Sequence, residues 1–69
     1  MAQKRRTIPL AAMEKLIKKA GAERVSEDAK AALADLLEKQ GLELAKHALR
    51  YSQHAGRKTI KAEDIKLAT

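Results

Sequence analysis

The sequence predicts an all-α domain: a short helix, a long central helix and a second short helix. Three observations carry this. Of the 69 residues, 44 are Ala, Glu, Lys, Leu or Arg, a bias typical of long helices. Residues 26–55 contain no proline and repeat apolar residues at three- and four-residue steps: Ala29, Leu33, Leu36, Leu37, Leu44, Ala48 and Tyr51. Capping residues and glycines then divide off two much shorter periodic segments, one on each side.

Taken in order, residues 1–6 form a polar tail carrying Lys4, Arg5 and Arg6, ahead of a folded domain over residues 7–69. The tail reads as a strip for phosphates or as a solubilising extension. The first helix is expected over residues 8–20. Pro9 falls near its first turn, where the missing N–H costs nothing and φ is preset. Leu10, Met13, Leu16, Ile17 and Ala20 make its apolar stripe. Lys18 and Lys19 suit the negative end of the helix dipole, and Gly21 suits the position just past the helix.

Residues 21–25 form the first loop. Ser26 is placed to cap the long helix, with Glu27 and Asp28 in the first turn, where the dipole favours acids. Gly41 interrupts the middle at about 1 kcal/mol relative to alanine. It marks either a close helix approach or a tolerated surface glycine. A second apolar series, Ala34, Leu42, Ala45 and Leu49, lies off the main stripe. The apolar surface is therefore broader than packing against one layer requires. At 1.5 Å per residue the helix would run about 45 Å, as long as or longer than a compact domain of this size is wide. Two short flanking segments cannot cover it, and a second copy is the simplest cover.

Ala55 and Gly56 end the long helix, and Arg57, Lys58, Thr59 and Ile60 form a second basic loop. The last helix is expected to start near Lys61. Ile60 and Ile65 fall at the two staple positions, and Asp64 is three residues past Lys61, able to reach back to a free amide. Ile65 and Leu67 are expected to face the core or a partner.

A single domain of this length is close to the limit at which a lone core suffices. The chain has no cysteine, so neither a disulfide nor a thiolate metal site can reinforce it. One tyrosine and no phenylalanine or tryptophan leave an aliphatic, alanine-rich core. Oligomerisation is the expected stabiliser. The net charge of +6 favours a polyanionic partner, either nucleic acid or an anionic membrane surface, over a surface with surplus lysine. No apolar run approaches the roughly 20 residues of a membrane span. The charged start has no apolar segment behind it, so no secretory signal is expected. The expectation is a cytoplasmic protein.

Catalysis finds no support. His47 and His54 are seven residues apart on one helix, about 10 Å along its axis, too far for a shared metal or proton. No HExxH, P-loop or CxxC pattern occurs. Asp35 and Glu43 read as solvated charges with Lys39 and His47 one turn on. No enzyme, metal or cofactor is expected.

The cations point elsewhere. They sit in the tail, in the first helix (Lys15, Lys18, Lys19) and in the two loops (Arg24; Arg57 and Lys58). Two copies paired antiparallel across their long helices would bring the first loop of one beside the second loop of the other, clustering Arg24 and Lys58. Such points bind the phosphate backbone without reading bases. A helix-turn-helix over residues 13–37 is the competing reading. Its recognition helix would begin Ser26, Glu27, Asp28, which sets two carboxylates against phosphates, and it is far too long. A membrane-surface helix fails because acids and bases mix on the polar face of the long helix.

Two motifs now stand out: Ala20, Gly21, Ala22, Glu23, Arg24, Val25, Ser26; and His54, Ala55, Gly56, Arg57, Lys58, Thr59, Ile60, Lys61, Ala62, Glu63, Asp64, Ile65. They resemble the two loop signatures of archaeal histones, and the resemblance runs from about Thr7 to Thr69. It implies the histone fold and an obligate handshake dimer, as a homodimer or a heterodimer with another histone. It implies wrapping of double-stranded DNA, largely independent of sequence, and assembly into tetramers or longer superhelical arrays on the chromosome, without enzymatic activity. By the resemblance, Arg24 enters the minor groove and Thr59 of the partner steadies it. Lys58 and Lys15 hold phosphates. On charge and not on the resemblance, Lys61 and the tail cations Lys4, Arg5 and Arg6 are expected to face DNA as well. Arg57 and Asp64 match an intrachain salt bridge. Tyr51, His54, Asp64 and Leu67 match the contact between dimers, and Gly21 a point where superhelical turns stack.

Three departures from the family pattern are visible. Tyr51 stands where an aliphatic residue is expected, the last helix ends at Thr69 without a basic tail, and the basic N-terminal extension is longer. The first bears on the strength of the contact between dimers, the second is expected to weaken tetramers, and the third either adds phosphate contacts or has no effect. The alternative reading is a histone-fold subunit that dimerises inside a transcription or replication complex with little DNA wrapping.

Overall fold

The computed structural model describes residues 8–69. Within them are three helices: α1 (Leu10–Lys19), α2 (Glu27–His54) and α3 (Ala62–Ala68). The tail cations Lys4, Arg5 and Arg6 lie outside the described residues. The chain divides into two compact units, Met1–Glu38 and Lys39–Thr69, with α2 contributing to both.

Local chemistry sets each boundary. α1 starts two residues later than its apolar pattern predicts, because Pro9 occupies the cap with extended backbone (φ −67°, ψ 139°) and disfavours helical geometry at Ile8 before it. Its end is a Schellman motif. The Gly21 N–H donates to the Lys18 carbonyl at 3.0 Å and the Ala22 N–H to the Ile17 carbonyl at 3.4 Å, with Gly21 at φ +116°. α2 begins after Ser26, whose hydroxyl oxygen accepts the Ala29 N–H at 3.1 Å. It ends in a second Schellman motif: the Gly56 N–H donates to Gln53 at 2.9 Å and the Arg57 N–H to Ser52 at 3.0 Å, with Gly56 at φ +71°. α3 follows Lys61, whose N–H donates to the Asp64 carboxylate at 2.8 Å.

Burial differs from the periodic reading. The fully buried apolar residues are Met13, Ala34 and Ala48 alone among those described. Of the α1 stripe, Leu16 and Ala20 are exposed and Leu10 and Ile17 half-buried. On α2, Leu36, Leu42, Leu49 and Tyr51 are exposed, as are Ile60, Ile65 and Leu67 after it. The physical reason is that a seven-residue and a ten-residue helix leave apolar surface uncovered in a single chain. A Cβ built on Gly41 meets nothing within 4 Å among the described residues, so no close approach among them explains that glycine.

In the first unit, α1 and α2 are clamped by charge. Lys30 lies 3.2 Å from Glu14 and 2.8 Å from Glu27, and Glu14 also receives Lys18 at 3.2 Å. Hydrogen bonding from Lys30 and then Lys18 holds the Glu14 carboxyl below its ordinary range. Glu27 and Glu14 in turn raise the Lys30 ammonium.

Candidate functional site

In the second unit, the loop over residues 57–61 is built from the inside out. Ser52, on the last turn of α2, is fully buried. Its hydroxyl points at two loop carbonyls, Arg57 at 3.1 Å and Thr59 at 3.0 Å, and shares its one proton between them. Arg57 folds back over the same loop. One guanidinium nitrogen reaches the Thr59 carbonyl and Asp64 Oδ2, each at 3.0 Å, and the other reaches Asp64 Oδ1 at 3.0 Å. Glu63 stands farther off, 3.9 Å from Arg57.

Asp64 is 1% exposed and satisfied on both oxygens, by Arg57 and by the Lys61 N–H. The Arg57 hydrogen bonds, and then the Lys61 N–H, hold its carboxyl below the usual aspartate range against the opposing pull of burial. The same pairing raises Arg57 above its ordinary value. Arg57 is therefore committed to holding the loop, and its charge is neutralised where it sits.

That construction leaves other cations outward. Lys58, Thr59 and Lys61 are exposed on the fixed loop, and neither lysine has an ion pair among the described residues. In the first unit, Lys15 and Arg24 are also exposed and unpaired among the described residues, and Gly21 holds the positive-φ turn before Arg24. Lys18 and Lys30, by contrast, are tied to carboxylates. The expected residues thus fall in two groups: Lys15, Gly21 and Arg24 in one unit, and Tyr51, His54, Arg57, Lys58, Thr59, Lys61, Asp64 and Leu67 in the other. Tyr51 and His54 are exposed near the end of α2, where with His47 and Arg50 they line a depression of about 190 Å³. Leu67 is 63% exposed on α3.

Sequence reasoning passed over Ser52 and the Glu14–Lys30 clamp. Ser52 had a signal: it lies four residues after Ala48, a lone hydroxyl on the stripe that runs inward. Glu14 and Lys30 are far apart in sequence and left none. Among the described residues no group of three acidic, His or Cys side chains gathers to hold a metal, and no helix is long and apolar enough to cross a membrane.

Comparison with known proteins places this geometry. Residues 6–69 match the family described as histone-like transcription factor (CBF/NF-Y) and archaeal histone. The chain is 57% identical over 61 residues to a subunit of the archaeal histone HAN1 from Thermococcus zilligii, covering 88% of this chain and 91% of that protein. It is 46% identical over 61 residues to probable archaeal histone 3 of Methanocaldococcus jannaschii, with the same shares covered. The short, long and short helices are the histone fold, and the chain belongs to the family of histone-like transcription factors and archaeal histones.

Proposed function

We propose that the protein is a histone that pairs as a handshake dimer and wraps and compacts double-stranded DNA through the phosphate backbone and minor groove, without strong sequence preference. It is a structural protein of the chromosome in the cytoplasm, not an enzyme. The observation that carries this reading is the second loop. Ser52 and the Arg57–Asp64 fork fix its backbone while Lys58 and Lys61 stay outward and unpaired among the described residues. A rigid loop with free cations loses little conformational entropy when it meets phosphate. The net charge of +6 supplies the long-range attraction.

In this reading Arg24 enters the minor groove, steadied by Thr59 of a second copy, while Lys15, Lys58 and Lys61 hold phosphates. Residues 7–69 act as the folded domain, and Lys4, Arg5 and Arg6 of the tail add backbone contacts. Tyr51, His54 and Leu67 meet a neighbouring dimer, so that dimers add into tetramers or longer arrays, and Gly21 lies where successive turns stack; Asp64, expected at the same contact, is 1% exposed and held by Arg57 and the Lys61 N–H, so its part there is to fix the loop and α3 from inside. Handshake pairing is supported by the exposed leucines Leu42 and Leu49 on α2. A heterodimer with a second histone uses the same surfaces. The matched relatives are both named as archaeal histones, which favours DNA wrapping over a place within a transcription or replication complex.

Nuclease digestion of duplex DNA reconstituted with the pure protein tests the proposal. Protected fragments growing in regular steps are expected, the step giving the DNA length held per dimer. Digestion as fast as naked DNA would overturn it.

A further inference from the structure

One amide on α2 stands in apolar company. Gln40 is exposed, yet its neighbours in helical register are leucines. Leu36 and Leu44 lie one turn to either side, and Leu33 and Leu37 point within about 60° of the same direction. Leu36 is 51% exposed, and Leu33, Leu37 and Leu44 are half-buried. Leu42, two residues past Gln40, lies about 200° round the helix, so this flank is separate from the Leu42–Leu49 stripe. A second copy brings three helices and has surface for both flanks. The flank with four leucines suits its long helix.

The register of that pairing follows from the helix itself. α2 runs 28 residues from Glu27 to His54, so its midpoint falls between Gln40 and Gly41. Two α2 helices crossing antiparallel about Gln40 set Leu36 of one against Leu44 of the other, twice over by symmetry. Lys39 of each copy then lies two residues, about 3 Å along the axis, from Glu43 of the other. The acid at the edge of this flank thereby meets a base. Gly41 costs the helix stability, and a Cβ built on it meets nothing within 4 Å among the described residues. A crossing at this point gives the glycine a use, a closer approach of the two axes.

In this register Gln40 faces its own copy. Packed helix axes lie about 8–10 Å apart, within the joint reach of two facing glutamines. A lone amide in an apolar seam gives up its water and gains no partner. Two facing amides satisfy each other, because each carries N–H donors and a carbonyl acceptor, and one hydrogen bond can run each way. A single polar position in an apolar helix seam can specify register and partner.

We propose that Gln40 marks the crossing of the two long helices and pairs, amide to amide, with Gln40 of the second copy. It thereby sets the register of the dimer and selects a copy of this chain over one with an apolar residue at the same place. This rests on the reading that the protein pairs through α2.

Two measurements on the full-length protein test it. The chain has no cysteine, so Gln40→Cys introduces a single thiol. A disulfide needs Cα atoms within about 7 Å, and mild oxidation is expected to join at least half of the chains as dimers. Asp28→Cys is the control. In the same register its two copies stand about 36 Å apart along the axis, and cross-linking is expected to be at least fivefold lower. For the amide itself, isotope-labelled wild type and Gln40→Leu are refolded together in equal amounts and the pairs counted by native mass spectrometry. Random pairing gives half mixed dimers. Less than a quarter is expected, because a mixed pair leaves one amide facing leucine. No cross-link at Gln40→Cys, or equal cross-linking at both positions, overturns the register, and a random half of mixed dimers overturns the selection. Either result from a wild type that sediments as a dimer sinks the role of Gln40 alone, whereas a monomeric wild type sinks pairing through α2 with it.

Discussion

Arg57 meets Asp64 as a two-pronged fork, each guanidinium nitrogen 3.0 Å from its own carboxylate oxygen, across seven residues of sequence. The pair closes the end of α2 onto the start of α3, and Asp64 at its centre is 1% exposed. Because Arg57 also reaches the Thr59 carbonyl at 3.0 Å, one side chain fixes both the loop and the following helix.

The fork makes stability depend on acid. Hydrogen bonding from Arg57 and from the Lys61 N–H lowers the folded-state pKa of Asp64 below its ordinary 3.8. Between the folded and unfolded values the unfolded chain binds more protons, so stability there rises with pH. The contribution is complete above the ordinary aspartate range and is lost as pH falls through the folded value. Asp64→Asn should therefore melt well below wild type at pH 7, by roughly 10 °C or more for a broken buried pair in so small a domain. The gap should close progressively below about pH 4. Thermal melts of both proteins from pH 2 to 7 check this, and a gap that stays constant into acid would mean that the fork's charge does not support the fold.

Ser52 gives a second handle on the same loop without touching charge. Ser52→Ala removes the proton shared by the Arg57 and Thr59 carbonyls. The expected cost is about 1–2 kcal/mol for partly buried acceptors left without a donor. Denaturant unfolding measures that cost. Amide exchange should quicken at Gly56 and Arg57, whose N–H groups close the end of α2, before it quickens in the middle of α2. Uniform quickening along the helix would instead show that Ser52 supports global packing and not the loop.

These two residues also show what the sequence reveals and what it hides. Helix order and ends were legible because their causes are local: Ser26, Gly21, Gly56 and Asp64 each act within a few residues. Burial was less legible. Periodicity identifies an apolar face but not what covers it, so Leu16 and Leu36 carry the pattern of core residues and stand exposed in the single chain. From residue pattern alone Arg57 reads as one more basic loop residue; its pairing with Asp64 comes from the family resemblance, and the fold adds the fork geometry and the third bond to the Thr59 carbonyl. Of the cations, composition gives the total, but only the fold separates those tied to carboxylates, such as Lys18 and Lys30, from Lys15, Arg24 and Lys58, which stay outward.

That separation predicts how each cation contributes to DNA binding. Lys58→Ala should weaken binding and reduce the slope of log affinity against log salt by about 0.9, the release of one phosphate's counterions. Arg24→Ala should do at least as much, with an affinity loss of about tenfold, if it sits in the minor groove as proposed. Lys18→Ala should change the slope less, because Lys18 already pairs with Glu14 at 3.2 Å. Fluorescence titrations of a short duplex at several salt concentrations read all three. Equal slopes for wild type and Arg24→Ala would remove Arg24 from the interface.

The last prediction concerns the second copy. Leu42 and Leu49 are one heptad apart on α2, 56% and 42% exposed, and so share a stripe. The fully buried apolar side chains among the described residues are one methionine and two alanines, too little to stabilise a domain against its chain entropy. Burying a leucine gains roughly 1.5–3 kcal/mol, and a two-fold interface counts every contact twice. Pairing therefore supplies the missing core, and folding becomes coupled to association. Sedimentation of the wild-type protein should give the mass of a dimer, and its melting temperature should rise with protein concentration. Leu49→Lys introduces two charges at such an interface and should give a largely unfolded monomer. Leu42→Ala should still pair but melt lower, keeping the concentration dependence. A wild-type monomer whose melting temperature ignores concentration would rule out the coupling, and the handshake arrangement with it.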